Sequence, residues 1–398
     1  MKKLKLIVLP VLVLALVLAG CDSSSGGGGG GEDAGQQYSV TAANFDEVFR
    51  EIRETPGTYT LNLTGDLLDY PGISLNTLGV KIFVKGTGTN QITWKWDTNY
   101  QCPLFWVGSG ELVIENIKLS RAQGNTQDWS LIGTEGGTLE IRNGVVVSSG
   151  AVNNGVWING GTFKMTGGEI SNCADLGVGV ENGSFIMSGG VIQNNNIGIW
   201  TAENDKGITI SGGTIRNNKN HALMIFSKGI TINISGGTIS DNGNMGIGIF
   251  DDCENVNLSL SGVTITNNGT FGVMLKGTGN TITMNSGTIS GNTGFGVLIE
   301  GKNNTLAMKG GTISKHINQW GFVMQGANSS FRKTGGTIYG MDAGDNSNSY
   351  GAINVYFGGS SSLSLYGNAE GSEVYAATIN SAGNGIVAGS LEGDGWEE

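Results

Sequence analysis

Between residues 165 and 340 the chain repeats one short phrase: MTGGEISN, MSGGVIQN, ISGGTIRN, ISGGTISD, LSGVTITN, MNSGTISG, MKGGTISK and KTGGTIYG. The shared isoleucine falls at Ile170, Ile192, Ile215, Ile239, Ile265, Ile289, Ile313 and Ile338, spaced 22 to 26 residues apart. A period of this length restricts the fold to stacked units, each too small to bury its own apolar face and each covering the next. Within a unit the apolar residues alternate, as in Ile232-Asn233-Ile234, Thr238-Ile239 and Ile247-Gly248-Ile249, with Gly and Asn between the runs. Alternation at period two marks strands with one buried face, and the Gly/Asn clusters mark turns. Three short strands per unit form one rung of a parallel β-helix. A leucine-rich repeat shares the period, but its LxxLxL pattern is missing, and a propeller blade needs roughly 40 residues.

Stacked rungs lie about 4.8 Å apart, so equivalent residues form columns. Three residues after the repeat isoleucine come Cys173, Asn195, Asn218, Asn242, Asn268, Asn292, His316 and Met341. The five consecutive asparagines predict a ladder, each amide donating to one neighbour and accepting from the other. Met165, Met187, Ile210, Ile234, Leu260, Met284 and Met308 predict an apolar column, with the methionines as packing rather than metal ligands. Upstream, NFDEVFREIRE places Phe45, Val48, Phe49 and Ile52 on one face of a short helix, and Asn44 with Glu47 has the form of a capping box. Such a helix is a lid for the open end of the solenoid, within a capping segment spanning 38–57. The repeat is looser from 58 to 150 and again after 340. The fold expected is all-β, a right-handed single-stranded parallel β-helix of about a dozen rungs over residues 58–392, closing in an acidic tail at 393–398.

The chain opens MKKLKLIVLPVLVLALVLAGC, a basic start, an apolar run and small residues before Cys21. This is the pattern of an export signal, here residues 1–20. Leu18-Ala19-Gly20-Cys21 resembles the bacterial lipobox, which implies lipidation of Cys21 and a membrane as partner through the lipid. The Ser/Gly-rich stretch that follows, to residue 37, is a flexible tether. Asp22 can act as an inner-membrane retention signal, whereas a long leash favours display, so the expected location is the cell envelope, at the outer membrane or surface. With 22 basic and 33 acidic residues the formal charge is −11, and no basic cluster follows the signal, which excludes nucleic acid as a partner. Cys102, Cys173 and Cys253 have neither disulfide-framework nor zinc spacing.

The SGGTI-type rungs, the asparagine ladder and the capping helix resemble right-handed, pectin-lyase-like β-helix proteins. With the lipobox and tether, the chain resembles bacterial lipoproteins built from such repeats. The resemblance covers residues ~40 to 390 and implies the fold; that fold carries lyases, hydrolases, adhesins and plain binding scaffolds alike.

Asp251-Asp252-Cys253 is similar to the Asp-Asp-Cys stretch of polygalacturonase-like enzymes. The rest of that family's motif set is missing. One rung before stand Ser227-Lys228-Gly229 and one rung after stand Gly277-Thr278-Gly279, where Asn-Thr-Asp and Gly-His-Gly would be needed. Inverting glycoside hydrolysis requires two carboxyls about 6.5–9.5 Å apart, and no second carboxylate column faces Asp251. Asp251, Asp252 and Glu254 offer few of the six to eight oxygens that calcium takes, so a weak calcium site is the most they would make. The simpler reading is a solvated corner ion-paired to Lys228, with no metal and no cofactor. His221 and His316 fall in different slots, and His316 extends or ends the ladder.

Outside the rungs, parity puts Trp200, Phe226 and Phe250 in one outward column, continued by Lys276, Glu300 and Gln325. The adjacent column holds Trp157, Gly179, Gly198, Met224, Gly248, Met274, Leu298 and Val323. Contiguous exposed apolar surface marks a binding site unless a loop covers it. Trp157, Trp200, Met224, Phe226, Phe250 and Met274 are therefore the candidate ligand residues, for a glycan or a protein. The expected function is a non-catalytic surface or envelope binding protein of adhesin type. The alternative is a polysaccharide lyase or glycoside hydrolase acting on uronate-containing glycans.

Overall fold

The computed structural model describes residues 35–338 except 96, 98–101, 151–152, 203–204 and 318–319, and the backbone of six strands between 353 and 397. The expected signal segment, Cys21 and most of the expected tether lie outside the described residues. Trp396–Glu397, within the expected acidic tail, forms a strand paired with Val374–Tyr375.

Each rung runs through three strands, illustrated by Val156–Asn159, Thr162–Met165 and Glu169–Ser171. Every strand pairs in parallel with its equivalent one rung away, as Val156 with Val178 and Ile170 with Ile192. The first two strand columns join into one 26-stranded sheet where the long strands Ile73–Lys85 and Phe105–Glu115 run through both. The third column is a separate 14-stranded sheet carrying the SGGTI isoleucines, which are buried throughout. The protein is an all-β parallel β-solenoid, with one short helix among the described residues.

The predicted columns are present. Met165, Met187, Ile210, Ile234, Leu260, Met284 and Met308 stand in register and are buried. In the ladder, each asparagine Oδ1 accepts the backbone N–H of the residue one rung before, from Cys173 onto Asn195 (3.0 Å) through Asn268 onto Asn292 (3.0 Å). The residue just before each ladder position adopts a left-handed backbone, with Asn194 at φ 56°, Asn217 at 53° and Asn267 at 56°. Asparagine tolerates that conformation, so the Asn-Asn pairs divide the work: the first turns the chain and the second carries the ladder. A second, shorter ladder was not foreseen: Asn280 accepts from Val256 N, Asn304 from Asn280 N, and Ser329 from Asn304 N.

The helix Phe45–Ile52 buries Phe45, Phe49 and Ile52 against the first rungs, with Phe45 edge-on to Tyr70 at 5.4 Å. The capping box does not form. Asn44 makes no side-chain cap bond, because its Oδ1 accepts Thr41 N at 2.7 Å instead. The helix is an insertion within the first rung, since Gln36–Val40 already pairs with Tyr59–Leu63 before it begins. No helix among the described residues is long and apolar enough to cross a membrane.

Candidate ligand-binding groove

The first strand column carries the outward aromatic residues, in a register that corrects the expected columns. Trp157, Gly179, Trp200, Met224, Gly248, Met274, Leu298 and Val323 form one column, in which Trp200 rather than Gly198 stands beside Gly179 and Met224. Phe226 and Phe250 belong to the next column. The cause is a turn shortened by one residue: Ile192 to Ile199 is one step less than Ile170 to Val178 or Ile215 to Leu223, and a one-residue change inverts parity along the strand. Upstream, the same column continues through Gly133 to Trp106.

Tryptophan and glycine therefore alternate on successive rungs: Trp106, Gly133, Trp157, Gly179, Trp200. Each glycine makes room for a neighbouring ring. A methyl on Gly133 would lie 2.6 Å from Trp106 Cζ3, and one on Gly179 would lie 2.3 Å from Trp157 Cε3. Trp157 and Trp200 start two rungs apart, about 9.6 Å by strand spacing, yet their rings stack with centroids at 5.8 Å by leaning together over Gly179. Trp200 meets Phe226 at 6.5 Å, and Phe226 stacks on Phe250 at 5.0 Å. Trp157, Trp200, Met224, Phe226 and Phe250 are all partly exposed.

Met274 does not belong to the open surface. Phe271 and Phe295 stack at 5.5 Å over the column, and with Trp320 they bury Met274, Leu298 and Val323 to 1–2% exposure. The C-terminal half of the face is thus sealed by its own side chains, while among the described residues nothing covers the N-terminal half.

The open half borders two cavities that share Asn154 and Trp157. The larger, about 590 Å³, is lined by Cys102, Pro103, Trp106, Asp128, Trp129, Ser130, Glu135, Asn154, Trp157 and Asn159. The smaller, about 310 Å³, continues it along Asp175, Leu176, Ile197, Trp200 and Met224. These volumes lie in the range that holds small ligands. The charged lining residues are all acidic. Trp106 Nε1 donates to Glu135 Oε2 at 3.3 Å, Asn153 Nδ2 donates to Asp128, and Asn196 Nδ2 donates to Asp175 at 3.2 Å. Burial pushes the Cys102 thiol up to about 11, so it stays protonated and neutral. Arg121 lies behind the Trp129 loop, stacked on Trp94 at 4.7 Å and donating to the carbonyls of Gln127 and Trp129.

Beyond Trp200, Asp205 sits at the corner beside Ser227, whose Oγ is 2.7 Å from Asp205 Oδ2 and 2.6 Å from Thr201 Oγ1. Burial raises the Asp205 carboxyl to about 7; the Ser227 hydrogen bond pulls it back, and the charge of Glu181 adds to the rise. His221 is buried edge-on to Phe250 at 5.5 Å, its Nδ1 is unpartnered, and burial lowers its pKa.

Asp251 and Asp252 are exposed on the next turn, and the ion pair of that corner is Lys228 with Glu254 at 3.5 Å, both half exposed. Among the described residues no three His, Cys, Asp or Glu side chains gather to hold a metal, the Asp251, Asp252, Glu254 corner included. Cys102, Cys173 and Cys253 are free thiols.

Trp106, Trp129, Asp128, Glu135, Asn154 and Asn159 were missed because they lie in or beside the loosely repeating segment, and Asp175 because it sits in a turn of the regular repeat. The usable signal was the Trp/Gly alternation, visible only once the rung register is known.

No family model and no curated protein sequence matches the chain. Among solved structures, it is similar to a variant of the periplasmic alginate epimerase AlgG, with 12% identity, a TM-score of 0.48 and coverage of 83% of this chain and 84% of that one. It is also similar to two mannuronan C-5 epimerase A-modules from Azotobacter vinelandii. The AlgE6 module has 13% identity, a TM-score of 0.44 and coverage of 88% and 94%; the AlgE4 module has 15%, 0.42, and 89% and 93%.

Proposed function

We propose that the open half of this face is a carbohydrate-binding groove running along the solenoid axis. The observation that carries the reading is the Trp/Gly column opening into two joined cavities. Stacked indoles offer apolar faces to the C–H faces of sugar rings, while Asp128, Glu135, Asp175, Asn154 and Asn159 supply acceptors and donors for hydroxyls. Exported and held at the envelope through a lipid on Cys21, the groove would engage extended glycans at the cell surface. A glycan-array screen of the protein beside a Trp157→Ala/Trp200→Ala variant tests it. Binding that the variant loses is the expected result; no glycan bound by the folded parent, or equal binding by both, refutes it.

A second reading, a polysaccharide lyase or glycoside hydrolase, draws support from Asp205. The Asp205 carboxyl, buried beside Ser227 and raised to about 7, is the kind of group that general acid catalysis near neutral pH requires. A uronate chain in the groove would bring its carboxylates against Asp128, Glu135 and Asp175, so the assay should offer both neutral and uronate polymers. New reducing or unsaturated ends that Asp205→Asn abolishes would establish the enzyme, and no such ends from either polymer would remove it.

A further inference from the structure

We propose that the larger cavity at the N-terminal end of the groove recognises an ammonium group, so that a glycan entering it presents an amino sugar there. This deepens the carbohydrate reading and rests on it for the sugar, but the ammonium recognition stands on separate observations. Three indoles, Trp106, Trp129 and Trp157, wall one cavity of about 590 Å³, and two carboxylates, Asp128 and Glu135, share the same wall. Indole faces attract cations through the ring quadrupole more strongly than other aromatic residues do, and aromatic walls with a carboxylate form the usual receptor for an organic ammonium.

The wall is preorganised for that task. Glu135 is held at the edge of Trp106 by the indole N–H at 3.3 Å, which uses one carboxylate oxygen and sets the charge beside the ring. Trp106 is in turn fixed by Gly133, whose missing side chain is the space the ring fills. Asn153 orients Asp128. The other side chains of the wall, Cys102, Pro103, Ser130, Asn154 and Asn159, carry no charge once the thiol is protonated. Arg121 is close enough for Asp128 to support its charge, but its guanidinium is committed to two carbonyls and the face of Trp94, and it does not line the cavity. With Asp175 next along the groove, the charged side chains that line it are all acidic. A hydroxyl-only sugar would meet the carboxylates by neutral hydrogen bonds alone, whereas an ammonium answers both the carboxylates and the rings.

Titration calorimetry with three probes tests this: a glucosamine oligomer, the matching N-acetylglucosamine oligomer, and choline, at a pH where the amine is protonated. The glucosamine oligomer should bind about tenfold or more tightly than its acetylated partner. Asp128→Asn/Glu135→Gln should bring the two affinities together, and Trp106→Ala should weaken the glucosamine oligomer and choline alike. Choline bound in a Trp106-dependent way with neither oligomer bound would uphold the ammonium site and count against the glycan groove. Equal affinities for the two oligomers in the parent, a preference for the acetylated one, or failure of both amine probes would overturn the proposal.

Discussion

Replacing His316 with asparagine should stabilise the solenoid, by a margin that widens as the pH falls. His316 fills the ladder slot after Asn292 at 1% exposure, its ring nitrogens reaching only toward the backbone carbonyls of Asn292 and Ile289. In each earlier rung the ladder amide donates Nδ2 to the next asparagine at 2.9–3.2 Å, but Asn292 Nδ2 has no acceptor. An asparagine at 316 would supply it. A buried unmet donor costs about 1–3 kcal/mol, and the smaller side chain returns part of that as a void, so the gain at neutral pH is roughly 1 kcal/mol. Burial also lowers the His316 pKa to about 4, against the pull of the Asn292 and Ile289 carbonyls. Between about pH 6.5 and pH 4 the unfolded chain therefore binds a proton that the folded protein refuses, and stability is lost as pH drops. From the two pKa values that loss is about 2 kcal/mol by pH 5. Asp205 acts in the opposite direction, because its raised pKa adds stability as pH falls toward the ordinary carboxylate range. The difference between parent and variant cancels that contribution, as it does the His221 one. Urea unfolding of both proteins at about pH 7 and pH 5, followed by tryptophan fluorescence, should show the gap widening by about 2 kcal/mol. A gap that is the same at both pH values refutes the argument.

Asn242→Ala should cost about 2–5 kcal/mol in urea unfolding, because it strips the acceptor from both Asn218 N and Asn218 Nδ2 inside the core. Gly179→Ala should leave overall stability within about 1–3 kcal/mol of the parent but displace Trp157, since the added methyl would lie 2.3 Å from its ring. The readout is a changed near-ultraviolet dichroism signal together with weakened glycan binding. Asp251→Asn with Asp252→Asn should change stability by less than about 0.5 kcal/mol and leave glycan binding as it was, as expected of exposed residues on a turn. A tenfold loss of binding in that variant would return the pair to the site.

The rung was legible in the sequence because its signals are local and repeated: the SGGTI isoleucines, the methionine column and the five ladder asparagines each recur at the same phase. The groove was less legible because it depends on parity between rungs. A single residue removed between Ile192 and Ile199 moved Trp200 into the column of Trp157, and no local pattern announces such a deletion. Met274 has the same place in its strand as Met224, and what separates them is Phe271 and Phe295, which fold over one and not the other. The capping box at Asn44 failed for a local reason, since the same Oδ1 that would cap the helix closes the turn at Thr41. Asp251-Asp252 stood out in sequence as an adjacent pair, whereas the acids that face the cavities are scattered over three rungs at Asp128, Glu135 and Asp175.

The most direct test of the carbohydrate groove is amide hydrogen exchange with and without the oligosaccharide that binds most tightly in the array. Protection should rise in the strands bearing Trp106, Trp157 and Trp200, with no change at Met274, Leu298 and Val323, where the same face is already sealed. Protection confined to the sealed half, or to another face of the solenoid, would contradict the account.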